Sequence, residues 1–141
     1  MASLSDERVR DFLSAGTRTG KIAWVASDGA PHVAPIWFVL DGDDLVFNTH
    51  SDSGKGRALA RERRASLVVD DQEPPYSFVK IDGAISLSEE LEEVRRFATL
   101  IGGRYMGADR AEEFGERNGV PGELLVRLHP AKVTAGFDVA D

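Results

Sequence analysis

The stretch KIAWVASDGAPHVAPIWFVLDGDDLVFNT, running from Lys21 to Thr49, decides the fold. Three segments rich in Val, Ile, Trp and Phe lie within it, Lys21 to Ser27, His32 to Leu40 and Asp44 to Thr49, separated by Asp28-Gly29 and Asp41-Gly42. An Asp-Gly pair between two β-favouring runs is a hairpin signal, because the glycine takes the positive φ that a tight turn demands. The reading is a three-stranded antiparallel meander. Pro35 interrupts the second segment and removes a ladder donor, so it belongs at an edge or a bulge. Backbone groups beside it are then free for a planar, amide-bearing ligand, and Trp37 either stacks on that ligand or covers the outside of the sheet.

Outward from this stretch the period-2 pattern returns in Ala65 to Asp70 and Tyr76 to Leu87, broken by Gln72, Glu73, Pro74 and Pro75. A last strand runs from Glu123 to His129 and past Pro130 into Val133 to Phe137. Six strands with short connections predict a mainly β fold with helices, a small closed or split barrel. Four helices accompany it. Ser5 is placed to cap the first, with Asp6 and Glu7 favourable at its dipole, Leu4 stapled to Val9, and Gly16 ending it. The second is the short basic segment Gly54 to Arg63. The third follows Ser86-x-x-Glu89, which has the form of a capping box, and carries an apolar stripe of Leu91, Val94, Phe97, Ala98 and Ile101. Asp109-x-x-Glu112 starts the fourth, which Gly119 and Pro121 close. Gly102-Gly103 is the candidate flexible joint. No internal repeat or linker divides the chain, and residues 1–141 read as one domain.

The 141 residues carry seventeen Lys and Arg against twenty-four Asp and Glu, a net charge of -7 that argues against a general nucleic-acid or anionic-membrane binder. With no Cys, disulfides, thiolate nucleophiles and Cys-ligated metal centres are excluded. The apolar runs Ile22 to Ala26 and Val33 to Leu40 are far short of the ~20 residues a spanning helix needs. The N-terminus lacks the basic and apolar regions of a signal peptide, and a cytoplasmic protein is the expectation. His32, His50 and His129 are scattered without metal-ligand spacing, so no metal site is expected. Glu89, Glu90, Glu92 and Glu93 suit a helix N-terminus rather than a catalytic carboxylate pair. Spacing argues for no Ser, His, Asp triad.

Charge is concentrated in one place. From Gly54 to Arg64, five cationic residues against Glu62 give +4, leaving -11 for the rest of the chain. A short helix entered through Ser51, Asp52 and Ser53 aims backbone N–H groups and the first basic side chains at one point, which is the physics of an anion site. Lys55 and Arg57 cannot share a helical face but can flank an anion seated at the helix start; Arg61, Arg63 and Arg64 read as solvated or paired. This is not a Walker A loop, since Thr49 stands where its first glycine belongs and Gly56 where its Ser or Thr belongs.

Four pieces in order resemble the pyridoxamine 5'-phosphate oxidase-like split β-barrel family, whose cofactor is FMN or the deazaflavin F420. They are Asp28-Gly29-x-Pro31-His32-Val33-x-Pro35-Ile36-Trp37-Phe38, Phe47-Asn48-Thr49, Lys55-Gly56-Arg57-Ala58-Leu59-Ala60, and Ala65-Ser66-Leu67-Val68-Val69-Asp70. The resemblance implies a homodimer with a cofactor groove at the subunit interface. In it, Pro35, Ile36 and Trp37 line the ring, while Asn48 and Thr49 contact ring or ribityl groups. Lys55 and Arg57, with backbone at Ser53 and Gly56, hold the phosphate, and Tyr76 and Phe78 approach from the partner. No C-terminal Arg and His motif for a pyridoxamine phosphate substrate is found before Asp141, which argues against vitamin B6 oxidation. Ser53 stands where some F420-binding relatives carry a further basic residue. Pro35 to Gly42 nevertheless resembles the F420 branch more than the FMN branch, and thirteen Arg to four Lys with fourteen Gly suits a GC-rich coding bias. The implied activity is an F420-dependent oxidoreductase passing a hydride from the deazaflavin C5 to a small unsaturated substrate. An FMN-dependent enzyme of the same fold, or a non-catalytic flavin carrier, is the alternative. Tyr105 or Tyr76 is the candidate proton donor, and Arg104, Tyr105 and Met106 belong to the substrate side.

Overall fold

A computed structural model describes residues 3–141; Met1 and Ala2, part of the segment read as lacking a signal sequence, lie outside the described residues. In chain order the elements are α1 (Glu7–Ser14), β1 (Gly20–Val25), β2 (Pro31–Ile36), β3 (Val39–Asp41), β4 (Asp44–His50), α2 (Gly54–Glu62), β5 (Arg64–Asp71), β6 (Ser77–Ser88), α3 (Leu91–Met106), a 3-10 turn (Ala108–Arg110), α4 (Ala111–Asn118) and β7 (Glu123–Gly136). The strands form one antiparallel sheet of seven in the order β2-β1-β5-β6-β7-β4-β3, which is not closed.

Six strands become seven because the expected second strand divides at Trp37 and Phe38. Pro35 offers no N–H, and both backbone groups of Phe38 are taken from outside the sheet. Its N–H donates to Tyr105 Oη at 3.2 Å and its carbonyl accepts from Arg104 Nη1 at 2.7 Å. The meander is corrected as well. β1 and β2 pair at one edge of the sheet, β3 and β4 at the other, and no ladder joins the two hairpins. Yet β2 ends at Ile36 and β3 begins at Val39. Three Cα steps of at most about 3.8 Å each cannot span more than about 11 Å, so the sheet curls until its two edges nearly meet. This seam is the split in the barrel, and Pro35 sits on it in an edge strand.

The barrel interior holds Ile22, Phe38, Leu45, Phe47, Leu67, Ile81, Val126 and Leu128, and α1 adds Val9 and Leu13 to the same core. Val46 and Leu125 point the other way, into a second core with Val94, Phe97 and Ile101 of α3. Alternate residues of β4 therefore meet apolar partners on both faces, which is why its sequence reads as a continuous apolar run.

The helix starts differ from expectation in ways with local causes. Asp6 rather than Ser5 caps α1, accepting from the N–H groups of Arg8 and Val9, while Ser5 bonds to Ser3. β6 extends through Ser88, so Ser86 belongs to a strand, and Glu90 caps α3 by accepting from Glu92 and Glu93. Asp109 lies in the 3-10 turn, and α4 starts at Ala111 without a side-chain cap. α2 ends one residue early, with Arg63 left-handed at φ 56° as its C-cap. Gly102 is no joint: it lies inside α3, where a Cβ would come within 2.3 Å of Phe114 Cβ, so it permits close packing of α3 on α4. Among the described residues no helix is long and apolar enough to cross a membrane.

Candidate functional site

A cleft of about 380 Å³ opens along the seam. It is lined by Thr19, Pro35, Ile36 and Trp37 at the seam, by Asn48 of β4 and Lys55 of α2, and by a wall of Ala98, Ile101, Gly102 and Asn118 from the α3–α4 pair. The volume falls in the range of small-molecule sites.

Trp37 is held from behind. Its ring stacks on Tyr105 at 5.1 Å with planes 4° apart and meets Phe114 edge-on at 5.7 Å. Tyr105 is fixed in turn, its hydroxyl donating to the Arg18 carbonyl at 2.8 Å while accepting from Phe38 N–H. Burial raises the Tyr105 pKa, partly opposed by the hydrogen bond to Phe38 and by the nearby Arg104. A phenol so placed is a scaffold for Trp37, and the structure does not present it as the proton donor suggested by the sequence. Arg104 likewise faces inward, donating to the carbonyls of Leu13, Gly16 and Phe38.

Two residues that line the cleft carry polar groups without partners among the described residues. Asn48 Nδ2 is buried and makes no hydrogen bond to them, a condition that costs about 1–3 kcal/mol when nothing compensates it. Lys55, in the first turn of α2, has its pKa lowered by burial, with Glu123 pulling it part of the way back. Among the described residues it joins no ion pair. Burial of Glu123 raises its own pKa, against the pull of His50 and Lys55. A desolvated ammonium that Glu123 influences without closing an ion pair favours a further anion.

The helix start beneath Lys55 is built for close approach. Ser53 Oγ accepts from Gly56 N–H at 2.9 Å and donates to the His50 carbonyl at 2.8 Å, while Thr49 Oγ1 lies 3.3 Å from it. Gly56 presses on β4 so tightly that a Cβ would fall 2.2 Å from the His50 carbonyl oxygen.

Of the residues singled out from the sequence, the structure brings Pro35, Ile36, Trp37, Asn48 and Lys55 onto one cleft, with Thr49, Ser53 and Gly56 supporting it. Arg57 does not join them. It lines a separate depression of about 610 Å³ with Arg61, Arg63, Ser51, Leu87 and Glu89, as the angular offset of two positions on a helix requires. Tyr76 is exposed and left-handed at φ 68°, following the cis Pro74-Pro75 bond, and Phe78 packs near Gly136; neither lines the cleft. The α3–α4 wall was missed as part of a site. Ala98 and Ile101 were legible only as a core stripe, and nothing in the sequence marks Asn118.

The chain is similar in structure to several solved proteins. A conserved hypothetical protein from Mycobacterium tuberculosis superposes with a TM-score of 0.84 at 21% identity, over 99% of this chain and 87% of that one. An F420 reductase gives 0.70 at 22%, over 88% and 94% of the two chains. The heme storage protein HutZ from Vibrio cholerae gives 0.73 at 17%, over 96% and 98%. At such identities these likenesses show the fold alone. No curated protein sequence matches the chain significantly. The family model described as pyridoxamine 5'-phosphate oxidase matches residues 5–135, nearly the whole chain. With that match laid over the split sheet and its seam, the chain belongs to the pyridoxamine 5'-phosphate oxidase family, a family of flavin-type cofactor binders.

Proposed function

We propose that the seam cleft holds the ring of a deazaflavin of the F420 type and that the protein is an oxidoreductase acting on a small unsaturated organic substrate. The observation that carries this reading is the buried, unpartnered Nδ2 of Asn48, a residue that lines the cleft with Pro35 and Trp37: among the described residues this amide donor has no partner, and it sits at the margin of a slot lined by an aromatic side chain. A flavin-type ring supplies the matching carbonyl acceptors, and its side-chain phosphate suits the unpaired Lys55. The donor set therefore fits the cofactor class of the family. When bound in reduced form, such a cofactor supplies a hydride to an electron-poor double bond. The chain's own residues position and enclose. Trp37, braced by Tyr105 and Phe114, fixes the ring plane; Asn48 donates to the ring edge; Lys55 neutralises the phosphate; Ala98 and Gly102 keep the α3 wall thin while the helices exclude water. With the Tyr105 hydroxyl committed to Arg18, the proton that completes the reduction comes from water.

F420 is preferred over FMN because one fold neighbour is an F420 reductase and because its acidic tail can use the cationic depression around Arg57. Arg61 contributes less there, since its guanidinium already donates to the Val25 carbonyl and pairs with Glu62. A homodimer is part of the proposal, with Tyr76 and Phe78 of each chain offered to the other's cleft. Heme is the second reading, favoured by HutZ and by a heme binding protein from Mycobacterium smegmatis among the fold neighbours. The lining of the cleft includes no His, Cys, Met or Tyr to ligate an iron, which favours the flavin-type cofactor.

The test is fluorescence titration of the protein with F420 and FMN, and absorbance titration with heme, each at low and high salt, followed by turnover of unsaturated acceptors with reduced F420. F420 should bind most tightly, with an advantage over FMN that shrinks as salt screens the tail contacts. Tighter FMN binding at both salts with FMN-dependent turnover would overturn it; tight F420 binding without turnover would leave a carrier.

A further inference from the structure

Outside the cleft, three adjacent strands bring together a hydroxyl, an imidazole and a carboxylate. Ser86 of β6 has its Oγ 2.7 Å from His129 Nε2, and His129 of β7 has its Nδ1 2.8 Å from Asp44 Oδ1 at the start of β4. The order and the ring nitrogens used are those of a nucleophile, a general base and an orienting acid. We propose that Ser86, His129 and Asp44 form a second reactive site, in which Ser86 is acylated by small activated esters independently of any cofactor in the cleft.

Three observations carry this. With the imidazole as its Nδ1–H tautomer, that N–H donates to Asp44, and the free Nε2 lone pair accepts from Ser86. The other Asp44 oxygen lies 3.4 Å from Arg127 Nη1, which also holds Asp41, so the carboxylate is oriented with Oδ1 toward the imidazole. Solvent reaches the relay: the His129 side chain is 43% exposed, and Ala84, its partner across the β6–β7 ladder, puts only a methyl group beside it. Among the described residues Ser86 Oγ makes no other hydrogen bond, which leaves its lone pairs open to an electrophile.

In the step, Ser86 Oγ forms a bond to the ester carbonyl carbon as its proton passes to His129 Nε2. The bond from that carbon to the leaving oxygen breaks, and the leaving alcohol takes the proton back from Nε2. Water then hydrolyses the acyl-serine to the acid and restores the hydroxyl. Arg127, directly opposite Ser86 in register, is occupied by Asp41, Asp44 and Glu93, so it adds no donor for the developing oxyanion. Good leaving groups are therefore required, and the substrate class is the activated ester of a small acid.

The experiment treats the full chain with p-nitrophenyl acetate, follows the release of nitrophenolate, and maps acetyl groups by peptide mass spectrometry. An acetyl group on Ser86 is expected, absent in Ser86→Ala. The rate of its formation should fall on the order of a hundredfold in His129→Gln and at least about tenfold in Asp44→Asn. Thermal melts of each variant separate lost chemistry from lost folding, and the adduct site in the unaltered chain decides the matter even where one variant is unstable. Acetylation confined to lysines, an absent Ser86 adduct, or equal Ser86 labelling in the folded His129→Gln and Asp44→Asn variants would overturn the proposal.

Discussion

Replacing Asn48 by leucine is expected to strengthen the fold and weaken the site at once. Leucine has nearly the same branching and length as asparagine, so the change removes the polar atoms with little change of shape. Asn48 Nδ2 is buried without a partner, and an unsatisfied buried donor costs about 1–3 kcal/mol, which the substitution gives back. The leucine joins a lining that already includes the apolar Ile36, Ala98 and Ile101. For a chain of this size each kcal/mol corresponds to about 3–4 °C in Tm, so the ligand-free variant should melt roughly 3–12 °C higher. Cofactor binding moves the other way, so the gain in Tm should be smaller with cofactor than without it. A hydrogen bond from Nδ2 to a ring carbonyl is worth about 1 kcal/mol net, so affinity should fall roughly fivefold. Thermal unfolding with and without cofactor, with fluorescence titration of the same samples, reads both effects. A lower melting temperature together with unchanged affinity would refute the reasoning, because it would mean that a water bound in the cleft satisfies Nδ2 and that no ligand carbonyl replaces it.

Lys55→Met should weaken binding of a phosphate-bearing cofactor about tenfold to a hundredfold in fluorescence titrations, whereas Arg64→Ala, on an exposed position away from the cleft, should leave it unchanged. Because burial lowers the Lys55 pKa, the folded chain releases this proton before the unfolded chain does. Ligand-free stability should therefore rise as pH climbs through the window between the depressed value and the usual lysine value, while anion affinity falls over the same window; Lys55→Met should flatten both profiles. Gly56→Ala drives a methyl group into the His50 carbonyl and should cost about 1–3 kcal/mol in urea unfolding. Arg104→Met removes the donor shared by the carbonyls of Leu13, Gly16 and Phe38, and should cost about 2–4 kcal/mol and broaden the Trp37 environment seen by near-UV circular dichroism.

What the sequence made legible is what short-range chemistry dictates. The Asp28-Gly29 and Asp41-Gly42 hairpins, the edge position of Pro35 and the apolar stripe of α3 each follow from a few neighbouring residues, and each is present, save that Leu91 at the head of the stripe is exposed. Partner choice between distant strands was not legible. Nothing local says that β4 pairs with β7 instead of β2, since both would bury the same alternate residues. Capping was misread where a polar side chain had a better use: the Ser86 hydroxyl, read as a helix cap, turns to His129, and Glu90 takes its place. Trp37 and Lys55 stood out because aromatic and cationic residues near a proline edge and a helix start have few other roles, and both line the cleft. The second wall of the cleft comes from helices more than fifty residues further on and carried no signal beyond ordinary amphipathicity.

The strand order also governs how the molecule can come into being. β7, the last strand in the chain, lies in the interior of the sheet, where it forms ladders with β6 on one side and β4 on the other. Leu45 finds its partner in Leu128 and Thr49 in Leu124, so the hairpin of β3 and β4 has no ladder to join until the residues of β7 are available. β1, β5 and β6 can assemble earlier, leaving the β3–β4 hairpin to wait with its apolar faces uncovered. Contacts of such long sequence separation make for slow folding, and a stalled or truncated chain would carry both an unpaired β4 and the open flank of β6. One strand thus closes two edges at once: until β7 slides into the gap, neither β4 nor β6 has its second neighbour.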